Sequence, residues 1–386
     1  MEKVLITASV ASMIDLFNRD NIRILQEMGK EVHVASNFAF GSITSQHRVE
    51  QCKKELEQAG VIVHHVPIPR RMGAVRAMVQ SYRELSKLMR DQQFQLVHTQ
   101  SPIGGVLTRL AARKSRKKGT KVIYTAHGFH FFKGASVVNW LLFYPIERIC
   151  AHDTDVLLTM NEEDFSRAQT FHAGKIDYIP GIGIDLTKFD QWKEHPADTA
   201  AMRKKYGFSD DDYILMSVGQ LSHRKNQETV IQALSDVSDS KIKYCIVGLG
   251  EYEERFRGQI QELHLEERVK LVGYSPRVQE LLQMADCFIF PSLQEGLPVS
   301  LMEAMASQKP IICSKIRGNT DLITDQKSGL LVEAKDAAGY ARAIQYMRAN
   351  QEQAAYFAGN ARKKVEAFSK ERVHTKMQEI YKETLK

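Results

Sequence analysis

Five cysteines (Cys52, Cys150, Cys245, Cys287 and Cys313) are scattered through 386 residues, and no two form a CxxC pair. An odd number at wide spacing argues against a disulfide framework and a structural zinc site, and fits a reducing compartment. Long apolar runs are missing as well. The longest candidate, residues 137–146, is interrupted by Asn139 and Pro145, far short of the roughly 18–20 residues that span a bilayer. The run VLITAS near the start is too short for a signal-peptide core followed by a cleavage site, so it reads as a strand. A cytoplasmic location is the expectation. Acidic residues are scarce in one region: residues 61–133 hold 14 Lys and Arg but only Glu84 and Asp91. The whole net charge of +7 lies within residues 1–183, and the remainder is balanced.

What is present is an alternation. Short β-rich runs at 4–9, 32–36, 61–68, 96–100, 121–127, 156–161 and 176–179 are separated by amphipathic stretches such as 14–28, 74–89, 104–113, 140–151 and 162–171. A second set follows at 213–219, 244–248, 269–272, 287–291, 311–314 and 330–333. Apolar strands alternating with helices predict parallel sheets covered on both faces, hence α/β with two doubly wound domains. The turn residues of Ile179-Pro180-Gly181-Ile182-Gly183-Ile184-Asp185 mark the boundary. The expected domains are 1–183 and 184–365, with residues 366–386 as a final helix, because nothing after 337 reads as a strand. Ligands of such sheets lie beyond the carboxyl ends of the strands. That rule singles out Thr99, Gln100 and Ser101, then His127, Gly219, Gly248–Gly250 and the loop from Pro291 to Glu295, all facing one cleft if the domains face each other.

Three segments carry chemistry. In FIFPSLQEGLPVSLMEAMA (residues 288–306) a buried strand runs through a glycine loop into a helix, with Pro298 suited to its first turn. Free N–H groups and a positive dipole end there suit a phosphate. Glu295 in the loop and Glu303 on the helix could each take a pair of hydroxyls, such as a ribose or hexose offers. In VGQLSHRKNQ (218–227) the adjacent cations Arg224 and Lys225 after Gly219 match a diphosphate, Arg as a fork and Lys as a point charge. In YTAHGFH (124–130) His127 could bind a hydroxyl, act as a base or cap the strand; no Ser or Cys elbow accompanies it. Gly248-Leu249-Gly250 lacks the third glycine of a dinucleotide fingerprint and reads as a nucleotide-facing turn. Asp153-Thr154-Asp155 precedes a strand, at the sheet end away from the expected site, so it reads as structure and implies no metal.

Taken together, Glu295-x7-Glu303 in its EGLP setting, Gly219 with Arg224-Lys225, Ala126-His127-Gly128 and the IPGIGID linker resemble the retaining GT-B glycosyltransferases of family GT4, over nearly the whole chain and in the family's order. TAHGFHF with the later NWLLFYPIER further resembles a bacterial subgroup that builds capsule, exopolysaccharide or glycan chains on polyprenyl-diphosphate carriers. The resemblance implies two Rossmann-like domains facing a central cleft, the first binding acceptor and the second a nucleotide-sugar. It implies Glu295 on donor-sugar hydroxyls, Glu303 on the ribose diol, and Lys225 with Arg224 on the diphosphate. Gly248 belongs to the donor site, residues around Tyr274 and Arg277 hold the base, and the Gly296, Leu297, Pro298, Val299 and Ser300 backbone meets sugar or phosphates. His127 faces the sugar, and Ser9, Ser12, Thr99, Ser101 and Phe129 join it on the acceptor side. The last helices cross back to the first domain.

Two departures stand out. Gln220 occupies a position where many relatives carry Arg, which leaves Arg224 as the candidate second cation. The loop Thr7-Ala8-Ser9-Val10-Ala11-Ser12-Met13 replaces a glycine-rich one. The expected reaction is metal-independent transfer from a UDP-sugar, an N-acetylhexosamine by preference, to a polyprenyl-diphosphate-linked glycan, with no cofactor. The basic stretch predicts docking on the anionic inner face of the cell membrane, with Phe129, Phe131, Phe132, Trp140, Phe143 and Tyr144 placed either against lipid or in the core. A UDP-sugar epimerase, a silent nucleotide-sugar-binding subunit and a nucleic-acid binder are the competing classes; no recognition motif supports the last.

Overall fold

The computed structural model describes residues 2–39, 45–71, 73–194 and 198–386. The chain forms two compact units, Met1–Ile182 with Glu371–Lys386, and Gly183–Lys370. In the first, the strands are β1 (Lys3–Val10), β2 (Glu31–Asn37), β3 (Ile62–His65), β4 (Leu96–Gln100), β5 (Lys121–Ala126), β6 (Val156–Thr159) and β7 (Lys175–Tyr178). They pair in the order β3-β2-β1-β4-β5-β6-β7, all parallel. In the second, β8 (Tyr213–Val218), β9 (Ile242–Val247), β10 (Val269–Gly273), β11 (Cys287–Phe290), β12 (Ile311–Ser314) and β13 (Leu330–Val332) pair as β10-β9-β8-β11-β12-β13, again parallel. Helices on both faces bury strands such as CFIF and IICS completely, which is why these strands are continuous apolar runs instead of alternating ones. All five cysteines are buried and unpaired.

Two details differ from the expected elements. The stretch 14–28 is two helices, Ala11–Phe17 and Arg19–Glu27, because the Asn18 amide turns back to donate to Met13 O at 2.9 Å and its backbone leaves helical geometry. The β3 run stops at His65, since Pro67 and Pro69 have no N–H to donate. The linker glycines also acquire a reason. Ile184 N–H donates to Phe368 O and Lys370 N–H to Ile184 O, both at 2.9 Å. Between them Gly183, at φ +78°, lies so near the returning chain that a Cβ would sit 2.8 Å from Lys370 Cα. The second unit continues through Lys370, and the returning helix Lys370–Thr384 packs Val373, Met377, Ile380 and Tyr381 out of solvent.

Candidate active site

Where strand order reverses in an open parallel sheet, the loops leaving the two neighbouring strands diverge and open a crevice. In the second unit that point lies between β8 and β11. The loops after these strands are tied together. Leu293 N–H donates to Arg224 O at 2.8 Å, Arg224 Nη1 to Gln294 O at 3.0 Å, and Asn226 Nδ2 to Pro291 O at 2.9 Å. Asn226 sits at φ +56°, a left-handed conformation that Asn tolerates, and opens the helix Gln227–Ser235. The result is an ion cluster of residues 70 positions apart. Lys225 Nζ lies 2.8 Å and Arg224 Nη1 2.9 Å from the same oxygen, Glu295 Oε1, and the Lys225 ammonium also rests 4.6 Å above the Phe290 ring. Burial would raise the Glu295 pKa; the Lys225 and Arg224 charges outweigh it and hold the carboxyl below its ordinary value.

Glu303 is in the opposite condition. The helix Val299–Ala306 buries Leu301, Met302, Ala304, Met305 and Ala306, and Glu303 projects from its remaining, half-buried face. Among the described residues nothing hydrogen-bonds or ion-pairs with its carboxylate. Burial pushes its pKa up to about 7, only weakly opposed by the Lys188 charge. Pro298 precedes this helix without a side-chain cap, and no acidic residue lies in the first turn, so the N–H groups of its first turn stay available to an anion. The floor is glycine-built. A Cβ on Gly248 (φ +149°) would sit 1.9 Å from Gly219 O, and one on Gly318 (φ +78°) 2.3 Å from Gly296 O. Tyr274, 73% exposed, follows β10, and nearby Arg277 pairs with Glu280 at 3.1 Å.

The first unit has its reversal between β1 and β4. Across it Ser9 and Ser101 share a hydroxyl hydrogen bond of 2.7 Å, and Gly104 N–H donates to Ser9 Oγ at 3.1 Å. Ser101 holds φ +71° and ψ 149°, a region that costs a non-glycine residue about 1–3 kcal/mol. Ser12 is buried in the short helix that follows β1. His127, at the end of β5, lies 2.5 Å by Nε2 from Gln100 Oε1 and 5.3 Å by ring centroid from Phe17. Burial pulls its pKa down to about 4, so it is neutral. Two expected acceptor residues are turned to the interior instead. The Thr99 hydroxyl, wholly buried, accepts from Thr7 Oγ1 at 2.7 Å, and Phe129 is buried with its ring stacked on Phe131 at 4.7 Å.

The profile of the family described as Glycosyl transferases group 1 matches residues 198–364, and that of the Glycosyl transferase 4-like domain matches residues 17–181. A Bacillus subtilis (strain 168) protein named as the glycosyltransferase EpsD is 33% identical over 384 residues, 98% of this chain and 96% of that one. The chain is a GT4 glycosyltransferase. An Escherichia coli relative, named UDP-Gal:alpha-D-GlcNAc-diphosphoundecaprenol alpha-1,3-galactosyltransferase, is 29% identical over 276 residues, 69% of each chain. In fold the GT4 chain matches Anabaena Alr3699/HepE, solved with UDP and glucose, at a TM-score of 0.78 and 18% identity over 99% of this chain and all of that one. The architecture is GT-B.

Within this GT4 chain the Asp153–Asp155 triplet is structural. It precedes β6, where Asp153 accepts from Arg113 Nε at 2.7 Å, and Asp155 from Arg116 and from Val122 N–H. Those pairs also show that the basic stretch is divided between the two ends of the sheet. The helix Pro102–Arg116 starts at the carboxyl end of β4 and therefore carries Arg113, Lys114 and Arg116 to the opposite end of the sheet. Arg70, Arg71 and Arg76 follow β3 at the site end. Most of these aromatics turn inward: Phe129 and Phe131 are buried, and the partly buried Trp140, Phe143 and Tyr144 pack against the same cluster. The large apolar residues that the helix Val137–Ala151 exposes are Val137, Val138, Leu141 and Leu142 near its start and Ile149 near its end. Asn226 is the residue the sequence reading missed; an Asn directly after two cations and before a helix was its available signal.

Proposed function

We propose that this chain moves a sugar, N-acetylhexosamine by preference, from a UDP-sugar to a polyprenyl-diphosphate-linked saccharide, retaining the anomeric configuration. One observation carries the donor half of this reading. The reversal crevice of the second unit holds one carboxylate neutralised by two cations and another that is half-buried, costly to charge and, among the described residues, unpartnered. A nucleotide-sugar resolves both. Its ribose diol supplies the two donors that Glu303 lacks. Its diphosphate competes for Lys225 and Arg224, the latter standing in for the cation that Gln220 does not provide, and the released Glu295 accepts hydroxyls of the sugar. Gly248 and the Gly296–Ser300 backbone line the phosphates, and Tyr274 with Arg277 borders the base.

In the transfer step the bond from the anomeric carbon to the diphosphate breaks and a bond to the acceptor oxygen forms on the same face. The acceptor proton passes to the departing phosphate, so no carboxylate nucleophile is required. Lys225, Arg224 and the helix start at Val299 take up the leaving charge, which leaves no step that calls for a metal. The acceptor falls to the first unit, with Ser9, Ser12, Ser101 and His127. The UDP-sugar donor and diphosphoundecaprenol acceptor in the name of the E. coli relative support the donor and acceptor classes, and the name of a Bacillus anthracis relative, N-acetyl-alpha-D-glucosaminyl L-malate synthase, 30% identical over 78% of each chain, supports the N-acetylhexosamine. The exposed Val137, Val138, Leu141 and Leu142, at the sheet end that carries His127, favour peripheral contact with the membrane holding such an acceptor. A panel of UDP- and GDP-sugars incubated with and without polyprenyl-diphosphate glycans tests the reading. Glycan extension with UDP-sugar alone among donors is the expected result. Interconversion of the free UDP-sugar without acceptor would make the chain an epimerase, and UDP binding without turnover a silent subunit.

A further inference from the structure

A chain of amides runs inward from His127, and its directions are fixed from the far end. Met13 O is a carbonyl and can only accept, so the Asn18 group 2.9 Å from it is the donating Nδ2. Asn18 Oδ1 therefore faces the other way, where it accepts from Asn21 Nδ2 at 3.3 Å and from Gln100 Nε2. With its NH2 group committed to Asn18, Gln100 presents Oε1 to the imidazole, 2.5 Å from His127 Nε2. An amide oxygen can only accept, so Nε2 carries the proton. Asn18 is wholly buried and Gln100 is 1% exposed, so water does not compete for these bonds.

From this geometry we infer that Asn18 and Gln100 are positioning residues that lock His127 as the Nε2–H tautomer, so that it meets its substrate as a hydrogen-bond acceptor through Nδ1. Among the described residues no group bonds to Nδ1. A neutral imidazole with one nitrogen committed as donor has a single lone pair left, and its partner must be an O–H or N–H donor such as a sugar or acceptor hydroxyl. The Phe17 ring, one residue before Asn18 and 5.3 Å from the imidazole, fixes the ring plane from the same segment. The short helix after β1 thus orients a residue at the end of β5 through one side-chain relay. The inference rests on the reading that His127 meets substrate; the tautomer itself does not.

Long-range 1H–15N correlation spectra of histidine-labelled protein test it, the His127 signals being assigned by their loss in His127→Gln. The expected spectrum shows a protonated Nε2 and an unprotonated Nδ1, retained in Asn18→Asp, whose carboxylate still accepts from Gln100. In Gln100→Leu the two tautomers should mix, with at least a tenfold fall in kcat and folded amide spectra otherwise preserved. A protonated Nδ1 in the wild type, or an unchanged tautomer in Gln100→Leu, would overturn the inference. The expected tautomer with undiminished transfer in His127→Gln would keep the relay and remove His127 from the reaction.

Discussion

At the scale of single residues, the site is defined by what its charges lack. Lys225 and Arg224 share one carboxylate, Glu295, and among the described residues the Glu303 carboxylate has no hydrogen-bond or ion-pair partner. Lys225→Ala should lower turnover by roughly one to three powers of ten, as for loss of one preorganised electrostatic stabiliser, with circular dichroism showing retained structure. Glu303 makes a second prediction, through pH. Its carboxyl titrates at about 7 in the folded chain against an ordinary 4.5, so the folded state binds the proton more tightly than the unfolded one. Stability from this group is therefore full below pH 4.5 and lost as pH rises through 7. Glu303→Gln removes the cost of the buried charge and should stabilise the protein at pH 8, by at most about 3 kcal/mol, with little effect near pH 4.5. Urea denaturation at the two pH values reads the difference. A variant that is more stable yet binds nucleotide worse is the signature of a carboxylate kept for a ligand.

At the scale of elements, buried polar pairs do what apolar packing alone does not. Arg109, fully buried on the helix Pro102–Arg116, donates to Glu147 Oε2 at 2.7 Å, and Tyr124 OH donates to the other oxygen at 3.1 Å. The guanidinium also lies 3.9 Å over the Tyr124 ring. Glu147→Ala strands that charge and should cost about 3–5 kcal/mol by chemical denaturation. This pair shows where sequence reading stops. Strand limits such as 287–291 and 311–314 were legible because a strand buried on both faces is an unbroken apolar run. The Glu295 and Glu303 loop was legible because strand end, glycine, proline and helix follow one another along the chain. Arg109 and Glu147 are 38 positions apart, as Lys225 and Glu295 are 70 apart, and pattern carries no record of which cation meets which carboxylate. The helix Val137–Ala151 misled for another reason. From Val137 to Tyr144 every residue but Asn139 is apolar or aromatic, so periodicity could not separate the inward Trp140 and Tyr144 from the outward Val138 and Leu141. Likewise Thr99 sits at a strand end, but strand alternation turns its side chain to the interior.

At the scale of the whole molecule, two sheets of the same winding each reverse order once, and each reversal carries a built polar cluster: Ser9 with Ser101 in one, Lys225 with Glu295 in the other. The chain leaves the first unit and returns to it, where the Tyr381 hydroxyl meets buried His98 Nδ1 at 2.7 Å beneath the Thr125 contact of the same ring. Membrane docking also belongs at this scale. The site-end apolar residues, not the full basic stretch, should decide it: flotation on liposomes containing anionic lipid should fall severalfold in Leu141→Glu. Equal recovery of variant and wild type would place the contact elsewhere.

In the proposed donor site the second unit holds a nucleoside diphosphate with Glu303 on the ribose and Lys225 on the phosphates. Calorimetric titration of wild type, Glu303→Gln and Lys225→Ala with UDP and with uridine tests it most directly. Glu303→Gln should weaken both ligands at least tenfold, whereas Lys225→Ala should weaken UDP and leave uridine unchanged. UDP bound equally well by all three proteins would contradict it.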